Sequence, residues 1–494
     1  MIDKRFTISS SGDKPLACKI ADMAVKKIPA YRKFLEEHRF KQKISCANFE
    51  KLPITDKENY FFRMPYFSLL PSDHLDDMYF VFKSSGSSGK PFYWPQMKQQ
   101  YRSFDMLFEK TLIDTFAIHR KRTLIIVGLA LGSWIGGDVI SWAAKNVALR
   151  SSYGLTVFSP GNQYEEIFDI IRGAHSKVDQ ILIFVCPSAI GHLFLLAKNK
   201  KVPLPYEKLR FAVIGEPFTE NSREQIGKRC RVKFPEVVMT STYGSADTGI
   251  IGIESKPLAL FRGLVSRHNG LRKGFGFNDT LPNLFNISVK EIFIEAADKE
   301  LIFTIWQGLP LIRYNLHDMG VLLDWQAVRK TLKDYRLDRE LDALKQHILK
   351  NLPASDIIAI GGRSDGTIIL CGTNISESML NKAMNDRSIE KLVTGCYFVS
   401  VLDKDGRQRL RWNIELRPGI KITMKIEDFI YYRLVEMIGA LQPEFLGDYK
   451  NVYCKWDKKR TERIFQINLF TWPDLSGREK KIKHRSIIKE RELS

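Results

Sequence analysis

Four short apolar runs, LIIVGLAL, LTVFS, DQILIFVC and LRFAVIGE, follow one another between Leu124 and Glu216, and helical stretches alternate with them, such as Tyr164 to Ala174 between the second and third and Glu220 to Arg229 after the fourth. A strand that is apolar at consecutive positions must bury both faces. Two such strands joined through a helix run parallel, so the alternation predicts a parallel sheet covered by helices. The longest apolar stretch, Leu124 to Leu149, is interrupted by Gly128, Gly132, Gly136, Gly137, Asp138 and Lys145. Those residues would be costly in lipid, and the stretch reads instead as a buried strand, a glycine-rich turn and a core helix.

At 494 residues the chain exceeds one compact core and divides into domains. Residues 1–50 are expected to form a helical lead-in, since Ala17 to Phe40 mix apolar and charged positions at near-helical spacing. Leu52-Pro53-Ile54-Thr55-Asp56-Lys57-Glu58 then places a cap residue before a helical first turn. After Glu254 a glycine-rich, basic connection is expected through Phe277, followed by the shorter strands EIFIE and ELIFTIW. Gln326 to Lys350 is charged, with leucines at helical spacing, and Gly361-Gly362-Arg363-Ser364-Asp365-Gly366 follows as a joint. Beyond it, TIILCG, CYFVSVL and RWNIELR read as strands and Ile426 to Leu441 as a helix. The expected fold class is therefore α/β. A large multi-layer domain (residues 51–361) with mixed and parallel sheets flanked by helices and a β-rich subdomain precedes a small α+β domain (residues 362–494).

The content of 44% hydrophobic and 27% charged residues is that of a globular protein, not a disordered or fibrous one. Lys and Arg number 76 against 56 Asp and Glu, a net charge of +20 that favours polyanionic partners without choosing among nucleotides, coenzyme A, nucleic acid and anionic lipid. A nucleic-acid-binding protein is the rival this charge raises, but no nucleic-acid motif accompanies it. The seven cysteines form no C-x-x-C pair and lie near no histidine at zinc-ligand spacing. The start, MIDKRFTISSSGDK, lacks the apolar core of a signal peptide. A reducing cytoplasm is the expected location, with no transmembrane segment.

In MYFVFKSSGSSGKPFYW an apolar strand runs into Ser84, Ser85, Gly86, Ser87, Ser88, Gly89, Lys90 and Pro91. Small residues at a strand end expose backbone amides and hydroxyls that can wrap phosphate oxygens, and a lysine adds charge. Only two residues separate Gly86 from Gly89-Lys90, where a Walker loop needs four. A serine-glycine run of this kind is also compatible with a flexible surface loop.

Taken in order, SSGSSGKP, FAVIGEPF (Phe211 to Phe218), STYGSADTG (Ser241 to Gly249), LIRYNLHD (Leu311 to Asp318), GGRSDG (Gly361 to Gly366) and the basic GREKKIKHR (Gly477 to Arg485) resemble the adenylate-forming enzymes. This superfamily holds the acyl-CoA synthetases and peptide-synthetase adenylation domains, and the motifs are most similar to its phenylacetate-CoA ligase-like branch. The resemblance spans about residues 50 to 490. It implies that Tyr243, Gly244 and Ser245 line the adenine pocket with the tyrosine ring on the base, that Gly215, Glu216 and Pro217 border the same pocket, and that Asp318 accepts both ribose hydroxyls. Asp247 takes the acidic place that helps hold magnesium, one methylene shorter than the usual glutamate and so suited to a water-mediated contact. Arg363 is placed near the nucleotide, and Asp365 at the pivot about which the small domain turns between two half-reactions. Lys481 best matches the lysine that reaches carboxylate and leaving phosphate; Lys480 and Lys483 are alternatives, because the usual glycine-lysine pair is absent. Ser133, Trp134 and Gly136 border the acyl pocket, although a tryptophan there also suits a core position. Arg313 fits a structural ion pair as well as a ligand contact, and His317 stands where a glycine-like residue is usual.

The implied activity joins a carboxylic acid, aryl or medium-chain, to AMP with release of pyrophosphate, then passes the acyl group to a thiol. ATP and Mg2+ are the implied cofactors, and coenzyme A or a carrier-protein phosphopantetheine the implied acceptor. A homologue that binds nucleotide without catalysis is the remaining alternative.

Overall fold

The computed structural model describes residues 4–71, 78–84, 92–232, 237–277, 281–287, 291–351, 356–404 and 407–475. Ser85 to Pro91 of the serine-glycine run and the whole basic tail, with Lys480, Lys481 and Lys483, lie outside the described residues.

Four of the apolar runs become strands Thr123–Val127, Leu155–Phe158, Gln180–Val185 and Leu209–Ile214, and with Met239–Ser245 they pair in parallel. Their side chains alternate between two cores. Leu124, Ile126, Ile181 and Ile183 face helices Tyr164–Ala174 and Pro187–Asn199, while Ile125, Val127, Leu182 and Phe184 face helices Lys98–Phe116 and Ile135–Arg150. The apolar stretch from Leu124 is thus a strand, a turn through Trp134 and a helix, as expected. Gly137 lets that helix approach the turn, because a Cβ there would lie 2.1 Å from the Ala130 carbonyl oxygen.

From Met239–Ser245 the sheet continues antiparallel through Gly249–Ile253, Asn283–Ile287, Ile357–Arg363, Leu311–Leu323, Glu300–Ile305, Phe293–Ala297 and Ser10–Ser11. One thirteen-stranded mixed sheet results among the described residues. The lead-in is helical, as Lys14–Lys27 and Pro29–Glu37, and its short strand Thr7–Ile8 also pairs with Leu322 and Leu323.

Two local readings change. The stretch after Glu254 is not an irregular connection: it folds as helices Lys256–Arg267 and Asn269–Gly274, the first burying Leu258, Phe261 and Leu264. Gly361, Gly362 and Arg363 close strand Ile357–Arg363 of the large sheet, so the glycine joint starts only at Ser364. Gln326 to Lys350 divides into helices Trp325–Asp334 and Arg339–Asn351.

After Asp365 the chain forms a hairpin, Ile368–Leu370 with Thr373–Ile375, and a separate sheet of Val393–Lys404, Arg407–Leu416 and Phe465–Phe470 backed by helix Met424–Leu441. This α+β unit buries Trp412, Tyr431 and Phe465, in an apolar cluster continuous with the parallel half of the large sheet. The α/β class with a mixed sheet and a small α+β terminal part is the observed architecture. No helix among the described residues is long and apolar enough to cross a membrane.

Candidate functional site

A sheet whose parallel half ends beside an antiparallel half leaves a crevice at the carboxyl ends of its strands. There, strand Leu209–Ile214 ends at Gly215, whose φ of +92° favours glycine. Glu216, in the crevice wall, is held by a neighbouring helix. Its Oε1 accepts from Ser188 Oγ at 2.9 Å and its Oε2 from Ser188 N at 3.1 Å, at the positive N-terminal end of helix Pro187–Asn199. The loop's exit is fixed by buried charge: two guanidinium groups lie near the Phe218 ring, Arg223 at 4.8 Å and Arg262 at 4.7 Å, and Arg262 Nη2 donates to the Phe218 carbonyl at 2.7 Å. Arg223 Nη2 is 2.7 Å from both Glu254 oxygens, and Arg262 Nη1 is 2.9 Å from Glu220. Burial raises Glu254 from its usual pKa while the two arginines oppose that rise.

Strand Leu311–Leu323 lies beside Ile357–Arg363 and carries Asp318 opposite Arg363. The Tyr243 hydroxyl donates to Asp318 Oδ2 at 2.6 Å, and Arg363 Nη1 donates to Oδ1 at 3.2 Å. The tyrosine ring packs on Phe285 with centroids 5.4 Å apart. Arg363 also binds Asp365 through Nε at 3.1 Å and Nη2 at 2.6 Å. A continuous chain, Tyr243–Asp318–Arg363–Asp365, therefore runs from the parallel sheet to the first residues of the terminal part. Burial raises Asp318, with Arg363 and the Tyr243 hydroxyl opposing. Burial would also raise Asp365, but the Arg363 hydrogen bonds, its charge and the Thr367 amide hold it below its usual value. Gly244 is required for close packing, since a Cβ would lie 2.4 Å from the Gly249 carbonyl oxygen. Ser245 Oγ accepts from the Asp247 and Thr248 amides, both at 3.2 Å.

Asp247 is buried, and its Oδ2 accepts from the Tyr314 hydroxyl at 2.6 Å and pairs with the Lys57 ammonium at 2.9 Å. Sequence reasoning missed Lys57. It follows Asp56, which caps the turn Lys57–Phe61 by accepting from Asn59 N; the cap was legible, but nothing in the spacing says that the next side chain reaches a carboxylate 190 positions away. Lys57 and Asp247 hold a partly exposed ion pair, so Lys57→Met is expected to cost about 1–3 kcal/mol in urea unfolding, less than for a fully buried pair. Asp247→Asn in the same chain should recover part of that loss, and a strictly additive double variant would show that the two side chains do not couple.

This arrangement bears on magnesium. Asp247 Oδ2 already holds a cation, and no group of three His, Cys, Asp or Glu side chains suited to a metal exists among the described residues. The residues do not form a resident metal cage.

Ser84 closes the neck of the serine-glycine run: its amide donates to the Phe92 carbonyl at 2.9 Å and its hydroxyl accepts from Phe92 N at 3.1 Å. Lys83, at the end of strand Met78–Lys83, donates from its amide to the Ser133 carbonyl at 3.1 Å, and its ammonium sits 4.4 Å from the Trp134 ring. Ser133 is exposed; Trp134 and Gly136 line the crevice. Arg313 is the ion pair of its two readings, with Nε 3.0 Å from Glu295 and Nη1 on the Glu50 and Leu52 carbonyls. His317 has a φ of +64°, which explains why a glycine-like residue suits that place.

Together these walls enclose a cavity of about 1960 Å3 that contains Gly215, Glu216, Pro217, Tyr243, Asp318 and Arg363 and extends to the terminal part. Such a volume exceeds that of a usual drug-sized site and suits a nucleotide together with a second ligand.

No family model matches the chain, and no curated protein matches it. Solved structures do match in fold. 2-Hydroxyisobutyryl-CoA ligase, in the thioesterification state with 2-HIB-AMP and CoA, gives a TM-score of 0.63 at 13% identity, over 96% of this chain and 88% of that one. The same ligase in its postadenylation state with 2-HIB-AMP gives 0.52, over 99% and 92%, and in an open conformation 0.51, over 98% and 93%, both at 13% identity. At this identity the likeness establishes the fold, that of the adenylate-forming ligases.

Proposed function

We propose that this chain, which has the fold of the adenylate-forming ligases, uses ATP to activate a small carboxylic acid as its acyl-adenylate and then passes the acyl group to a thiol. The observation that carries this reading is Asp318, a carboxylate in the cavity wall with its oxygens oriented by Tyr243 and Arg363. A bidentate acceptor of this kind suits the two hydroxyls of a ribose.

A carboxylate and a triphosphate repel, so binding must bring two anions together and neutralise them. In this proposal Gly215 to Pro217 and Tyr243 to Ser245 hold the adenine, and Ser84 to Lys90 cradle the outgoing phosphates. Lys481, with Lys480 and Lys483 as alternatives, is the cation at the reacting groups. Magnesium would arrive on the phosphate oxygens of ATP, with Asp247 in reach through water. The acid is of the aryl or medium-chain class, bordered by Trp134 and Gly136 as in the phenylacetate-CoA ligase-like branch. Coenzyme A or a carrier phosphopantetheine is the acceptor, and Asp365 is the pivot between residues 51–361 and 362–494.

The test is exchange of labelled pyrophosphate into ATP across a panel of aryl and medium-chain acids. Acid-dependent exchange is expected; none across the panel, with ATP binding intact, would leave a nucleotide-binding protein without this activity.

A further inference from the structure

Helix Pro443–Asn451 closes one side of the cavity and lines it with Glu444 and Asp448. The two carboxyls are treated differently. Asp448 Oδ1 accepts from Asn162 Nδ2 of the large part at 3.1 Å, and its Oδ2 from Thr373 Oγ1 at 3.3 Å. Glu444 Oε2 is buried and has no hydrogen-bond partner among the described residues. A buried polar oxygen without a partner is costly to the fold, and such a group in a cavity wall points to a partner that arrives from outside the fold.

The groups around it are of known charge and origin. Asp448 shares its helix, Lys83 faces it from strand Met78–Lys83, and Cys186, at the start of helix Pro187–Asn199, feels its charge. Tyr164, Tyr453, Cys371 and Glu216 complete the charge environment of Asp448 and Cys186. Burial pushes Tyr164, Tyr453 and both cysteines well above their usual values, so they are neutral. Burial also pushes Glu444 up to about 8, with Asp448 adding to the rise and Lys83 opposing it. Cys186 also lines the cavity, with Gly372 packed against it: a Cβ there would lie 2.8 Å from its sulfur.

We propose that Glu444 is the proton acceptor for the incoming thiol in the acyl-transfer step, with Asp448 a positioning residue that holds its helix against Asn162. This rests on the adenylating reading given above. In the step, the thiol S–H proton passes to Glu444 Oε2 and the sulfur bonds to the acyl carbon. The bond from that carbon to the AMP phosphate oxygen breaks, and AMP leaves with the electron pair. A thiol must lose its proton to become a strong nucleophile, and a base that titrates near the working pH serves best.

The experiment uses the full chain and an acid identified by exchange, and follows acyl transfer in a single turnover to two thiols. N-acetylcysteamine holds its proton firmly, and trifluoroethanethiol ionises more readily. For Glu444→Gln, transfer to N-acetylcysteamine relative to the variant's own exchange rate should fall by about tenfold or more, and the deficit should shrink to under about threefold with trifluoroethanethiol. In the unsubstituted protein, transfer to N-acetylcysteamine should rise as pH passes through about 8. An equal deficit with both thiols, no deficit, or a pH-independent rate overturns the proposal, and the last readout needs no variant. Acid-dependent exchange without transfer to any thiol overturns this step alone, whereas absent exchange overturns the adenylating reading beneath it.

Discussion

Asp318→Ala is expected to raise the ATP concentration for half-maximal pyrophosphate exchange by roughly a hundredfold or more, with a far smaller effect on unfolding. Hydrogen bonds to a charged group contribute about 1.5–3 kcal/mol each, and two of them to one ribose make about 3 kcal/mol a low figure. The scaffold should tolerate the change, because Arg363 retains both its bonds to Asp365. Asp318→Asn separates charge from shape: it keeps the volume and one oxygen acceptor, and its loss should fall between those of the wild type and the alanine variant. The measurement is exchange as a function of ATP at saturating acid. An unchanged ATP dependence for Asp318→Ala would remove the ribose assignment.

The second large effect is on stability. Arg262 is 1% exposed and holds Glu220, the Phe218 carbonyl and the Pro282 carbonyl. Arg262→Met fills much of the same volume but leaves Glu220 and Glu254 with less positive charge around them, and removing one partner of a buried ion pair typically costs about 3–5 kcal/mol. Urea unfolding should show a loss of that size. Arg262→Met combined with Glu220→Gln should be less destabilised than the sum of the two single changes, because the second removes the stranded charge. A loss below about 1 kcal/mol would mean that the cluster is dispensable for folding. Since Arg262 also anchors the exit of the Gly215–Phe218 loop, weaker nucleotide binding should accompany the loss.

Much of this was legible in the chain because it rested on short-range pattern. The runs LIIVGLAL, DQILIFVC and LRFAVIGE became parallel strands, Tyr164–Ala174 became a helix between the first two, and Glu220–Arg229 became the helix that follows the third. Helix Lys256–Arg267 was hidden because its buried Arg262 and its Gly263 look like surface and loop residues until four distant charges meet. Strand Ile357–Arg363 was hidden because its two glycines resemble a joint, while pairing with Leu311–Leu323 decides otherwise. The ordered motifs singled out Tyr243, Asp318 and Arg363, which the fold brings together in one cavity. Lys57 and Glu444 carry no local signal, since a lysine after a cap and a glutamate in a helix's first turn are ordinary surface choices. Only the folded chain brings one to Asp247 and leaves the other against a cavity.

The docked position of helix Pro443–Asn451 also makes hydrogen ions a reporter of shape. In water Glu444 and Asp448 would titrate near 4.5 and 3.8; docked, burial holds them up to about 8 and about 6. The docked form therefore binds more protons than an undocked one between those limits, so docking is favoured as pH falls through this window and is weakened as pH rises through 6 and then 8. Near pH 7, swinging the helix out should release about one proton, chiefly from Glu444. An indicator dye in weakly buffered solution, mixed rapidly with ATP and acid, should report that release and should report far less for Glu444→Gln. A silent dye would mean that the helix stays docked through the turnover.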